Sequence, residues 1–202
     1  ATAVATVVTA LVQRTVTDEA ERFLAGGVSD TDFIESIAGY ALLSVLQGVG
    51  VVVSAVLVII WMFRVARNHR TLHRGGTWGP GWAIGGWFLP PLLYVIPTLM
   101  FNELWKASDP DVPVGGDWRS GRGTPLVPIW FVTYSVLPIV MMFFQSNVFS
   151  GFGAAEEDLA RQIIDDQDAT LASGLVAVAG AVSFIALARA LADRHQRFTG
   201  ER

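Results

Sequence analysis

The chain has 202 residues, 52% of them hydrophobic and 16% charged, with a formal net charge of −4 and no cysteine. Globular domains carry about 25% charged residues, so this deficit, with a mean hydropathy of +0.47, points to a membrane protein of one domain, residues 1–202. The acidic balance leaves no footprint for nucleic acid, and the missing cysteines exclude disulfides, thiolate nucleophiles and cysteine-ligated clusters.

Residues 1–12 (ATAVATVVTALV) are apolar but too short to cross a bilayer, and read as the remnant of a first span. Residues 13–37 form an acidic outer connector, with Asp18, Glu19, Glu21, Asp30, Asp32 and Glu35 against Arg14 and Arg22, broken at Gly26-Gly27. Ser29, Asp30 and Asp32 are placed to cap a new helix, with Glu35 in the capping-box position. Residues 38–63 are the clearest span: they carry no charge and close on the belt aromatics Trp61 and Phe63.

Residues 64–81 form a basic inner loop. In RVARNHRTLHR, the residues Arg64, Arg67, Arg70 and Arg74 recur every three or four positions and share one side of a continuing helix, which Gly75-Gly76 ends. Arginines beside a membrane suit anionic lipid head groups, at about 1 kcal/mol each; anchoring of the topology explains the same residues. His69 and His73 lie four apart, a spacing that places both on one helical face and suits a metal ion. No carboxylate accompanies them and the arginines repel a divalent cation, so no metal site is expected.

Residues 82–105 (WAIGGWFLPPLLYVIPTLMFNELW) are uncharged from Trp82 to Phe101, long enough to cross. They also hold Gly85-Gly86, Pro90, Pro91 and Pro97. A proline inside a helix loses a backbone bond, costing about 3 kcal/mol, and a re-entrant segment is tolerated where protein covers its backbone. A loop follows over residues 106–124, then a second clear span over 125–149 with a bend at Pro138. Residues 150–170 are a second acidic outer connector, in which Leu159, Ile163 and Ile164 form a stripe suited to a short helix lying on the membrane. Residues 171–188 make a span rich in small residues, and residues 189–202 a basic inner tail with Arg189, Arg194, Arg197 and Arg202.

Basic flanks face the cytoplasm, which places both the 64–81 loop and the C-terminal tail there. Three crossings between them would put them on opposite sides. If the proline-rich segment does not cross, every flank agrees. The expected fold is therefore an all-α integral membrane protein of the plasma membrane, with four transmembrane helices plus a proline-broken re-entrant or interfacial segment; the alternative is five kinked crossings. Each half then reads as span, acidic connector, span, arginine-rich end. FRVARNHR loosely echoes ALARALADRHQR, a likeness that either the charge rule or an internal repeat joined by the proline-rich segment explains.

The run FRVARNHRTL, then WGPGWAIGGWFLPP, then PTLMFNELWKASDP, resembles an actinobacterial family of multi-pass membrane proteins catalogued as domain-of-unknown-function family 4328. The resemblance implies that Arg64, Asn68, Trp82, Trp87, Pro90, Pro97, Glu103 and Trp105 match the family's recurring pattern. It implies a fold and a host group, and no activity.

The three clear spans hold no ionisable residue, whereas pumps place such groups at membrane depth. Their Ser, Thr and Gln residues suit helix association. Glu103, beside Asn102 and Trp105, is expected to pair with an arginine of the 64–74 run. Together Asn68, Trp82, Trp87, Pro90, Pro91, Pro97, Asn102, Glu103 and Trp105 form a candidate structural or gating motif. No G-x-S-x-G occurs, no histidine is placed to serve a membrane serine, and no span holds a histidine for haem. No catalytic residue, metal or cofactor is expected. The expected role is non-enzymatic: an accessory or scaffolding subunit of a membrane complex, or a homo-oligomer, with membrane lipids and a protein as partners. The alternative is a small transporter or channel whose path touches Asn102, Glu103, Gln145 or Gln47.

Overall fold

A computed structural model describes residues 2–89, 92–113, 115–144 and 155–200. Helix α1 runs unbroken over Thr2–Leu24, so the apolar residues 2–12 and the first part of the acidic connector are one helix. It closes at Gly26, where φ is +75°. The Gly27 amide donates to the Arg22 carbonyl and the Gly26 amide to that of Phe23, both at 2.9 Å, the crossed pair that ends a helix on a left-handed residue.

Helix α2 covers Asp30–Thr71, 42 residues, or about 63 Å of rise. Ser29 caps it. The Asp32 amide donates to Ser29 Oγ at 3.3 Å, and the Ser29 hydroxyl donates to Asp32 Oδ2 at 2.7 Å. The reciprocal partner is thus Asp32, three residues on, and not Glu35. The arginine run does continue this helix, as expected, but Gly75-Gly76 does not end it. His73 does, at φ +57°, with the Arg74 amide on the His69 carbonyl (2.8 Å) and the His73 amide on that of Arg70 (3.3 Å).

Among the described residues every regular element is helical: α3 (Trp82–Gly85), α4 (Leu92–Ala107), a 3-10 turn (Trp118–Ser120), α5 (Leu126–Phe131), a π turn (Val132–Val136), α6 (Leu137–Phe144), α7 (Glu156–Asp165) and α8 (Gln167–Thr199). Among the described residues two helices, α2 and α8, are long and apolar enough to cross a membrane, against the four expected. The π turn ends just before Pro138. Proline cannot donate to the carbonyl four residues back, and its ring crowds that group; a widened turn relieves both problems. Residues 145–149 of the expected span, Gln145 among them, lie outside the described residues.

The chain divides into two units. In the first, Ala1–Val52 with Val136–Ala181, α7 packs on α1. Ala20, Phe33 and Ala160 are fully buried at the contact, flanked by Phe23, Val28, Ile37, Ile163 and Ile164, and the Phe23 and Phe33 rings stack at 4.3 Å. Two of the three residues of the expected stripe, Ile163 and Ile164, are partly buried against protein in the same chain. The acids Glu156, Glu157 and Asp158 occupy the first turn of α7, where they meet the positive end of its dipole.

The second unit is Val53–Ser135 with Val182–Arg202. Its core joins Met62, Val65, Ile96, Met100, Phe101, Leu104, Trp130, Leu187 and Leu191. The Phe101 and Trp130 rings meet edge to face at 5.0 Å, a favoured aromatic geometry. Gly86 lets α3 approach α4: a Cβ there would lie 2.6 Å from Ile96 Cγ2. Pro97 sits buried inside α4, which continues through it; Pro90 and Pro91 lie outside the described residues.

Candidate functional site

The second unit gathers the ends of α2, α4 and α8 around the loop that follows each of the first two. His69 lies on the last turns of α2 and is 1% exposed. Its Nε2 is 3.0 Å from Ser108 Oγ, and its Nδ1 is buried with no hydrogen-bond partner among the described residues. The His195 ring meets it edge-on at 4.8 Å and the Phe198 ring stacks at 6.0 Å. Burial first, then His195 and Arg74, pushes the His69 pKa down to about 3, so the imidazole is neutral at physiological pH.

Arg74 follows the helix-ending turn and is 3% exposed. Its guanidinium donates to the carbonyls of Ala107 (3.0 Å), Asp109 (2.7 Å) and Val112, and it lies 3.9 Å from the centre of the Phe198 ring. A planar fork with five donors suits several carbonyls at once. Arg194 holds the same loop from α8: its Nη2 is 2.6 Å from Asp109 Oδ2, its Nε donates to the Trp105 carbonyl at 3.1 Å, and its guanidinium lies 4.8 Å from the Trp105 ring. Two arginines from two basic segments thus clamp residues 105–112.

Beside the clamp lies a cleft of about 380 Å³, lined by His69, Arg70, Arg74, Gly75–Pro80, Met100 and Glu103 among others. Glu103 accepts the amides of Thr77 and Trp78, each at 3.1 Å. It therefore pairs with loop backbone and not with an arginine, because the chain turns back at Gly76 and presents two adjacent N–H groups. A Cβ at Gly76 would collide with Glu103 Oε2. The proline-rich segment consequently leaves this point at Trp78 and returns to it at Glu103.

The structure separates the four arginines. Arg64, Arg67 and Arg70 are exposed, while Arg74 is buried in the clamp. His69 is buried and His73, beyond the helix, is exposed, so the two do not share a helical face. Asn68 is exposed; Trp82 is 38% exposed and meets Trp78 edge to face at 5.4 Å. Trp87 lies 5.9 Å from the Tyr134 ring. Asn102 is half-buried, its Oδ1 facing Gly123. Ser108, Asp109, Arg194, His195 and Phe198 belong to the site although the sequence did not single them out as partners. A histidine does meet a loop serine, His69 with Ser108, outside the expected spans. Ser108 is 0% exposed and absent from the cleft wall, so this pair fastens α2 to the end of α4 and offers no nucleophile to solvent.

A family model matches residues 26–193, most of the chain. The chain belongs to that family, the domain of unknown function DUF4328. Comparison with curated proteins and with solved structures finds no match. The matched part of this DUF4328 chain takes in Arg74, Glu103, Ser108 and Asp109 and ends one residue before Arg194.

Proposed function

We propose that this protein is an integral protein of the plasma membrane that acts through contacts, as an accessory or scaffolding subunit or as a homo-oligomer. The observation that carries the reading is the bareness of α2. Leu42, Val45, Val52 and Leu57 are each about 60% exposed (61, 62, 62 and 61%), and none of its most apolar window is buried. Water penalises such a surface by roughly 25 cal/mol per Å², so lipid or a partner helix must cover it. Two clefts with charged walls lie at the arginine end of α2, and the Glu103 carboxylate there is occupied by backbone, which favours a fixed bracket over a gate.

Four crossings with a re-entrant proline-rich segment suit this geometry. The return from Trp78 to Glu103 keeps the 64–81 loop and the loop after α4 on one face. The packing of α1 on α7 suits two acidic connectors that lie together on one face. In this arrangement the basic loop and C-terminal tail are cytoplasmic. The test is native co-purification of the tagged chain in mild detergent. A stoichiometric protein partner or a defined homo-oligomer is the expected result; elution as a lone monomer, with solute flux in reconstituted vesicles, would replace this reading with transport.

A further inference from the structure

Arg67 and Arg70 carry no ion pair among the described residues, in a chain whose net charge is −4. Between them runs a groove of about 470 Å³ lined by Phe63, Arg67, Arg70, Thr71, Pro80 and Gly81. No acidic residue lines it. We propose that this groove binds the phosphate head group of an anionic phospholipid, with the acyl chains lying along α2.

The helical register fixes the shape of the ligand. Val56, Ile60, Phe63, Arg67 and Arg70 fall within about 80° of one another at 3.6 residues per turn, so they form one stripe. Val56 and Ile60 are 49% and 44% exposed, and Phe63 forms the apolar wall of the groove. The stripe changes from apolar to cationic within one turn. Arg67 lies about 6 Å beyond Phe63 along the axis, at the depth of the head-group layer, roughly 5–7 Å thick on each side of a bilayer; Arg70, about 10 Å beyond Phe63, lies on the water side of that layer. A small anion would use only the arginine end; an amphiphile with a phosphate uses the whole stripe. Arg74 is excluded from the set, because its donors are taken by three carbonyls. Arg64 is excluded because it does not line the groove.

This inference rests on the membrane reading, and the two fail differently. If the chain is not integral, an alkaline wash releases it from membranes whatever their lipid. If only the lipid site is wrong, the chain stays in the membrane without head-group preference. The experiment is native mass spectrometry of the full chain in mild detergent, titrated with phosphatidylglycerol and with phosphatidylcholine of the same acyl chains. One phosphatidylglycerol per chain is expected to bind in preference to phosphatidylcholine. Arg67→Gln with Arg70→Gln should weaken it about thirtyfold, the equivalent of roughly 1 kcal/mol per arginine. The Lys/Lys pair, which keeps the charge, should retain most of the binding, and Arg161→Gln, on α7 in the first unit, should change nothing. Equal binding of the two lipids, or an unaltered Gln/Gln variant, overturns the proposal. Glycerol phosphate that competes as well as the lipid overturns the acyl stripe and leaves a free-phosphate site in its place.

Discussion

His69 is held neutral, and that has a consequence for stability. Its pKa is about 3 in the folded chain and about 6.5 in an unfolded one. Below pH 6.5 the unfolded chain takes up a proton that the folded chain refuses, so stability is full above that pH and declines as pH falls towards 3. At pH 5.5 the loss is about 1.4 kcal/mol. Thermal unfolding at pH 7.5 and 5.5 should show the decline, and His69→Gln should remove His69's share of it, with His195 and Arg74 left in place. Glu103 gives a second case. Glu103→Ala strands the amides of Thr77 and Trp78, and should cost on the order of 1–2 kcal/mol. Gly76→Ala forces the same carboxylate aside, so its cost should shrink in the Glu103→Ala background, a non-additivity that a double-mutant cycle measures. Neither partnership was legible in the sequence. Glu103 was assigned to an arginine because charges are visible and loop amides are not. His69 and Ser108 stand 39 residues apart, and nothing in either neighbourhood signals the other.

Elements were legible where the signal is local. The break at Gly26-Gly27, the cap at Ser29, the uncharged run of α2 and the amphipathic pattern of α7 all follow from residues within one or two turns. What each element packs against was not: the same stripe of Ile163 and Ile164 suits a membrane surface or a protein neighbour, and only Ala20, Phe33 and Ala160 reveal which. Ala160→Leu should therefore push α7 off α1 and cost about 1–3 kcal/mol of stability, as overpacking usually does, readable as a lower midpoint in chemical denaturation. The end of α2 departs from the sequence expectation because Gly75-Gly76 is the usual stop signal and His73 is not. A side chain in the left-handed region costs roughly 1–2 kcal/mol. His73→Gly should accordingly raise the thermal midpoint, since His73 is exposed and its ring has no hydrogen-bond or ion-pair partner among the described residues.

For the molecule as a whole, charge patterning carried most of the information. The arginine runs and the acidic connectors suggested two opposed faces before any helix was in view. The native chain lacks cysteine, so single cysteines report sidedness cleanly. Thr77 and Ser120 are exposed, as are Ser29 and Asp165, whereas Ser108 is buried and would report nothing. Cysteines at Thr77 and Ser120 should react with an impermeant maleimide from one side, and those at Ser29 and Asp165 from the other. Opposite labelling of Thr77 and Ser120 would establish five crossings instead. The arginine clamp adds a matter of timing. Trp105 waits for Arg194, 89 residues downstream, which at ordinary translation speeds of 5–20 residues per second is roughly 5–20 s. Throughout that interval Arg74, made earlier, is already present to hold the carbonyls of Ala107, Asp109 and Val112. Arg194 then closes, from a different helix, on a loop that Arg74 has already gathered.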